Sequence, residues 1–108
     1  MKVHYHPDFP RDIRKFFQKY REIYPALGER FLSEIDIAIA DVIAGHDYAG
    51  HFVRLGTRTV RTFRRRNLDS FPFFVLYGHS PEHLIFGSLV PSRSDPLDWL
   101  SRFRSVPA

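Results

Sequence analysis

The residues best placed to do chemistry are arginines. The segment Arg58-Thr59-Val60-Arg61-Thr62-Phe63-Arg64-Arg65-Arg66 carries five arginines and no acid. Guanidinium groups stay ionised and make forked contacts to phosphate or carboxylate. As a strand, the segment puts Thr59, Arg61, Phe63 and Arg65 on one face and Arg58, Val60, Thr62 and Arg64 on the other. Neither face is cleanly apolar, so at least one arginine-bearing face is expected to meet solvent or a partner. Arg54 on the preceding segment joins it across a hairpin, and Phe63 is available for stacking. Such a surface suits RNA, through phosphate contacts and base stacking, and equally an acidic peptide. The plain structural alternative is an edge strand protected by charge.

The acid–base groups are histidines and one tyrosine. Histidine as a residue type titrates near neutrality, and the candidates are His4, His6, His51, His79 and His83. His79 sits in a turn and is expected to be solvated, and Tyr77 lies in an apolar run and is expected in the core. His4 and His6 share a strand face, but two imidazoles without a nearby carboxylate or Cys make a poor site, so no metal and no cofactor is expected. There is no Cys, which excludes a disulfide scaffold and thiol catalysis.

These side chains must be held by a small domain. The chain has 108 residues, 44% apolar and 16% aromatic, with 11 Phe, which indicates a single packed domain over 1–108. No apolar run is long enough to span a membrane, and the start Met1-Lys2-Val3-His4-Tyr5-His6-Pro7 does not read as a secretory signal, so a cytoplasmic protein is expected. The net charge is +4, unevenly spread. Residues 1–50 hold seven basic and eight acidic side chains, and residues 51–108 hold nine basic, all Arg, against four acidic. A basic second half points to an anionic partner.

The elements follow from period and punctuation. Val3–His6 alternates and stops at Pro7. Asp8 is expected to cap a helix with Pro10 in its first turn and Phe9, Ile13, Phe16, Phe17, Tyr20 and Ile23 along its stripe. Pro25-Ala26-Leu27-Gly28 is expected as a turn. A second helix starts near Glu29, with the stripe Phe31, Leu32, Ile35, Ile39, Val42 and Ile43 and a stop at Gly45. Strands are expected at 51–55, 58–65, 72–77 and 83–90, the third being nearly all apolar and therefore central. Asp95, Pro96, Asp98, Trp99, Leu100 and Phe103 carry the signature of a last helix. The order β-α-α-β-β-β-β-α predicts an α+β fold, with an N-terminal helical hairpin on one face of a largely antiparallel twisted sheet and a short C-terminal helix.

Four segments together resemble the RelE/ParE superfamily, the toxins of bacterial type II toxin–antitoxin pairs, which include plasmid stabilisation proteins. Val3-His4-Tyr5-His6-Pro7 resembles the family's first strand. Leu27-Gly28-Glu29-Arg30-Phe31-Leu32-Ser33-Glu34-Ile35-Asp36-Ile37-Ala38-Ile39 resembles "LG-x-RFL-x-EID-x-AI". Val60-Arg61-Thr62-Phe63 with Phe71-Pro72-Phe73-Phe74-Val75-Leu76-Tyr77 resembles "VRRF…FPY-x-V-x-Y", and Arg93-Ser94-Asp95-Pro96-Leu97-Asp98-Trp99 resembles "R-x-DP-x-x-W".

The resemblance implies one of two activities. RelE-like members are mRNA endonucleases that act on the ribosome, and ParE-like members bind and poison DNA gyrase. RelE-like cleavage uses Lys and Arg on the central strands and a Tyr near the C-terminus. Here Arg93 matches one Arg position, Phe74 stands where the other falls, and Trp99 occupies the Tyr position. The only lysines are Lys2, Lys15 and Lys19, all outside the expected sheet. The departures favour a ParE-like toxin that acts by binding. A rearranged nuclease using Arg61, Arg65, Arg93, Tyr77 or His79 is the alternative, and an inactive partner-binding member is a third. The expected binding surface comprises Arg54, Arg58, Arg61, Phe63, Arg64, Arg65, Arg66, Arg93 and Trp99. The expected partners are an acidic antitoxin and either gyrase or the ribosome with its mRNA, and the resemblance admits a homodimer or a toxin–antitoxin hetero-oligomer.

Overall fold

The computed structural model describes residues 2–55 and 58–94; of 48, 51, 53–55 and 58–62 it describes the backbone alone. The elements in chain order are β1 (Lys2–Tyr5), α1 (Asp8–Ile23), α2 (Pro25–Ala49), β2 (His51–Leu55), β3 (Arg58–Asn67), β4 (Phe73–His79) and β5 (His83–Pro91). The expected last helix, with Trp99, lies outside the described residues.

The five strands form one sheet in the order β1-β5-β4-β3-β2. β1 pairs with β5 in parallel, Lys2 opposite His83, and the other three pairings are antiparallel. β4 is therefore the middle strand, and Phe73 through Gly78 are buried without a gap, as its unbroken apolar run predicts. In β5 the parity of the side chains changes. Leu76 faces Ser88 but Tyr77 faces Phe86, so Gly87 bulges, and both Phe86 and Leu89 reach the same core. Asp12 of α1, itself buried, accepts the Leu89 N–H at 3.2 Å beside that bulge. No helix among the described residues is long and apolar enough to cross a membrane.

The helical hairpin differs from expectation at its ends. Asp8 lies one residue inside α1, and its N–H is taken up by His6 Nδ1 at 3.1 Å, so the buried His6 ring does the capping. Pro25 is the first residue of α2 and not part of a turn, leaving Tyr24 as the whole connection. A proline suits a first helical position and forces its predecessor to be extended, and Tyr24 has φ −164° and ψ 149°. Gly45 does break the helix, at φ −166° and ψ 75°, but a further turn follows as far as Ala49.

The core lies between the hairpin and one face of the sheet. Phe9, Phe31, Ile35, Ala38 and Val42 pack against Phe73, Val75, Tyr77, Leu84, Phe86 and Leu89. Its densest part is aromatic: Phe31 sits 5.2 Å from Phe71 and 5.4 Å from Phe73, and Tyr20 lies 4.9 Å from Phe71, in edge-on geometries. Two expected stripe residues are exposed instead. Ile23 is the last residue of α1, next to the one-residue connection, and Ile43 is turned away because the face of α2 that meets the sheet runs through Phe31, Ile35, Ala38 and Val42.

Candidate functional site

The arginine strand is divided by its own pleat. Residues directly opposite one another share a face of the sheet. Arg64 faces Tyr77 and Arg66 faces Val75, so these two point into the helix layer, whereas Arg65 faces Leu76 on the other side. The three guanidinium groups accordingly have different surroundings. Arg66 reaches α2, where Nη2 lies 2.9 Å from Asp41 Oδ2, and its Nη1 lies 3.6 Å from Asp69 Oδ1 in the loop after β3. Its side chain is only 14% exposed, so Arg66 is engaged by this chain's own carboxylates instead of facing outward as expected. Arg65 stacks 3.8 Å over the Phe74 ring and donates to Asn67 Oδ1. No carboxylate neutralises it in these contacts. Phe63 is half-buried. The side chains of Arg54, Arg58 and Arg61 lie outside the described residues; the backbones of Arg54 and Arg58 pair in the β2–β3 hairpin, and Arg61 falls where its register shifts.

Arg64 stands at the centre of a polar corner. Its guanidinium stacks 4.0 Å over Phe52, Nη1 donates to the Gly50 carbonyl at 3.0 Å, and Nε donates to His79 Nε2 at 3.3 Å. The His79 ring lies 4.6 Å from the ring of His46, which follows the break at Gly45. His46 Nε2 is 3.5 Å from Asp47 Oδ1. Burial, then His46 and Arg64, hold the pKa of His79 below the usual histidine value, and Asp47 opposes them. A neutral imidazole accepting from a guanidinium is thus the resting form, and His79 is half-buried instead of solvated.

Tyr77 anchors this corner from below. It is fully buried, and its hydroxyl donates to the His46 carbonyl at 2.7 Å. Burial, only partly offset by Arg64, pushes its pKa up to about 12. As a catalytic candidate Tyr77 is therefore ill suited, since it keeps its proton near neutrality and its oxygen is committed to the backbone. Gly50 is needed here. A Cβ at that position would sit 2.6 Å from the Arg65 carbonyl oxygen and 2.8 Å from the Tyr77 hydroxyl.

Arg93 is elsewhere, at the opposite end of the sheet. It is exposed, on the rim of an open groove of about 470 Å³ between α1 and the ends of β4 and β5. Phe16, Tyr20, Ile23, Phe73 and Pro91 make the groove apolar, and Lys19 joins Arg93 at its edge. The structure thus brings Arg64 and His79 together and separates both from Arg93. Of the other histidines, His4 Nε2 lies 2.8 Å from His83 Nδ1 across the β1–β5 pair. Sequence reasoning missed His46, Asp47 and Gly50; the one available signal was polar residues directly after the expected helix stop at Gly45.

A helical hairpin laid on one face of a five-stranded mixed sheet defines a ParE-like α+β fold. The chain is similar to a solved structure described as "Chromosomal ParDE TA system from P. aeruginosa", with a TM-score of 0.69, 11% identity, and coverage of 84% of this chain and 95% of that one. At that identity the likeness is one of fold. No family model matches the sequence, and no curated protein does.

Proposed function

We propose that this chain is the toxin of a toxin–antitoxin pair, acting in the cytoplasm by binding an essential target in the ParE-like manner, with DNA gyrase as that target. The observation that carries the reading is the fold shared with a chain of a ParDE system. Binding is favoured over chemistry by the acid–base inventory. Tyr77 holds its proton to about pH 12, and Lys and a C-terminal Tyr are missing where the nuclease pattern has them. The antitoxin is an acidic segment with apolar anchors, which suits an apolar groove edged by Lys19 and Arg93. Its affinity falls with salt if these cations dominate. Induced expression tests the target. Arg61→Ala with Arg65→Ala abolishes growth inhibition while the domain still folds, and arrested gyrase accumulates on broken DNA with mRNA intact. A folded, fully toxic double variant overturns the assignment to this strand.

The nuclease reading rests on one observation, the Arg64–His79–His46 corner, where a phosphate-binding group stands beside two imidazoles. Primer extension on cellular mRNA separates the two: cuts within codons that vanish in His79→Ala support the nuclease.

A further inference from the structure

We propose that His46, Asp47 and His79 form a binding site for a divalent d-block cation, with Zn²⁺ the ion that suits the donors best. One ligand atom from each of the three residues lies within 4.8 Å of the other two. Two imidazole nitrogens and a carboxylate oxygen are the donor set of an open tetrahedral zinc site, which keeps its fourth position for water or an anion. Zn–N and Zn–O bonds of about 2 Å place donors roughly 3.3 Å apart, so the donors must close in by up to about 1.5 Å. Side-chain torsions can supply this. Asp47 has a side chain 61% exposed and His46 one 21% exposed, so both have room to turn.

The backbone beneath them is already set. The Tyr77 hydroxyl grips the His46 carbonyl, and Gly50 lies against Arg65 and Tyr77 with no space for a side chain. The last turn of α2 and the end of β4 are therefore held in register before any ion arrives, which is what a site assembled from distant residues requires. Arg64 must release the ring when the ion binds. If His79 coordinates through Nε2, the lone pair that accepts from Arg64 goes to the metal. If it coordinates through Nδ1, Nε2 carries the proton and no longer accepts. Arg64 retains the Gly50 carbonyl and the Phe52 ring in either case. The carboxylate of Asp47 offsets part of the repulsion between cation and guanidinium. A bound ion ties the turn after Gly45 to the sheet, and it is independent of which toxic activity the chain has.

The test uses the full chain without an affinity tag, treated with chelator and titrated with Zn²⁺ by calorimetry. Thermal unfolding is followed in parallel, and Co²⁺ serves as a spectroscopic substitute. One equivalent is expected to bind, to raise the melting temperature, and to give the strong visible absorption of four-coordinate Co²⁺. Asp47→Asn, at an exposed position that leaves the fold intact, weakens binding at least tenfold, and His46→Ala with His79→Ala removes it. His4→Ala with His83→Ala leaves it unchanged, which excludes the other histidine pair. Mg²⁺ at the same concentration produces no shift, because imidazole selects softer ions. The proposal is overturned if Zn²⁺ fails to bind, if Asp47→Asn binds as the parent does, if Mg²⁺ competes equally, or if the His4/His83 variant is the one that loses the ion.

Discussion

The two ends of the sheet are built on opposite principles. Around Phe31, Phe71 and Phe73 the structure is dry and aromatic, held by area and by edge-on rings. Around Arg64, His79 and Tyr77 it is polar, held by a chain of donors and acceptors that runs from Phe52 to His46. The first end tolerates no loss of volume. The second tolerates no loss of partners and no gain of volume, because its backbones already touch at Gly50.

Four changes sharpen or break that contrast. Phe31→Ala has the largest effect, since Phe31 is fully buried among three aromatic rings; a loss of about 3–5 kcal/mol is expected in urea denaturation. Gly50→Ala follows. A methyl group 2.6 Å from a carbonyl oxygen forces the backbones apart, at a cost of about 1–3 kcal/mol in the same measurement. An unchanged midpoint shows that the polar corner yields more easily than its contacts imply.

Tyr77→Phe comes third. It leaves the His46 carbonyl without its donor and costs about 1–2 kcal/mol near neutral pH. It also alters the alkaline limb. Tyr77 ionises near 10 when unfolded and near 12 when folded, so between those values the unfolded chain loses its proton first and stability falls as pH rises. The variant lacks that share of the fall, visible as a flatter stability–pH curve above pH 10. The smallest effect is at acid pH, in chelator. His79 has a lowered pKa in the folded chain, so the unfolded state takes up a proton first and stability declines as pH drops below about 6.5. Replacing it in His79→Asn flattens that decline, and an unchanged slope shows that His79 does not cause it.

The same contrast explains what was legible in the sequence. The aromatic end rests on period: Phe31, Ile35 and Val42 recur at helical spacing, and Phe73–Tyr77 is unbroken, so the helices, the middle strand and the core follow from local pattern. Alternation likewise separates Arg64 from Arg65. Which arginine meets a carboxylate is not local. Asp41 is 25 residues from Arg66, and the Tyr77 hydroxyl reaches a carbonyl 31 residues away. Asp12 shows the same limit. It is buried on α1 and accepts the Leu89 N–H from 77 residues away, a partner that local pattern does not supply. The end of α2 was half legible: Gly45 marks the break, but only the contact with Tyr77 accounts for the turn that follows.

The parallel pairing of β1 with β5 has a consequence for biosynthesis. Lys2–Tyr5 leaves the ribosome well before the neighbour it needs, His83–Phe86. Until then the nascent chain can shelter the aromatic stripes of its hairpin only against an incomplete sheet. The nascent chain is therefore at its stickiest until β5 is complete.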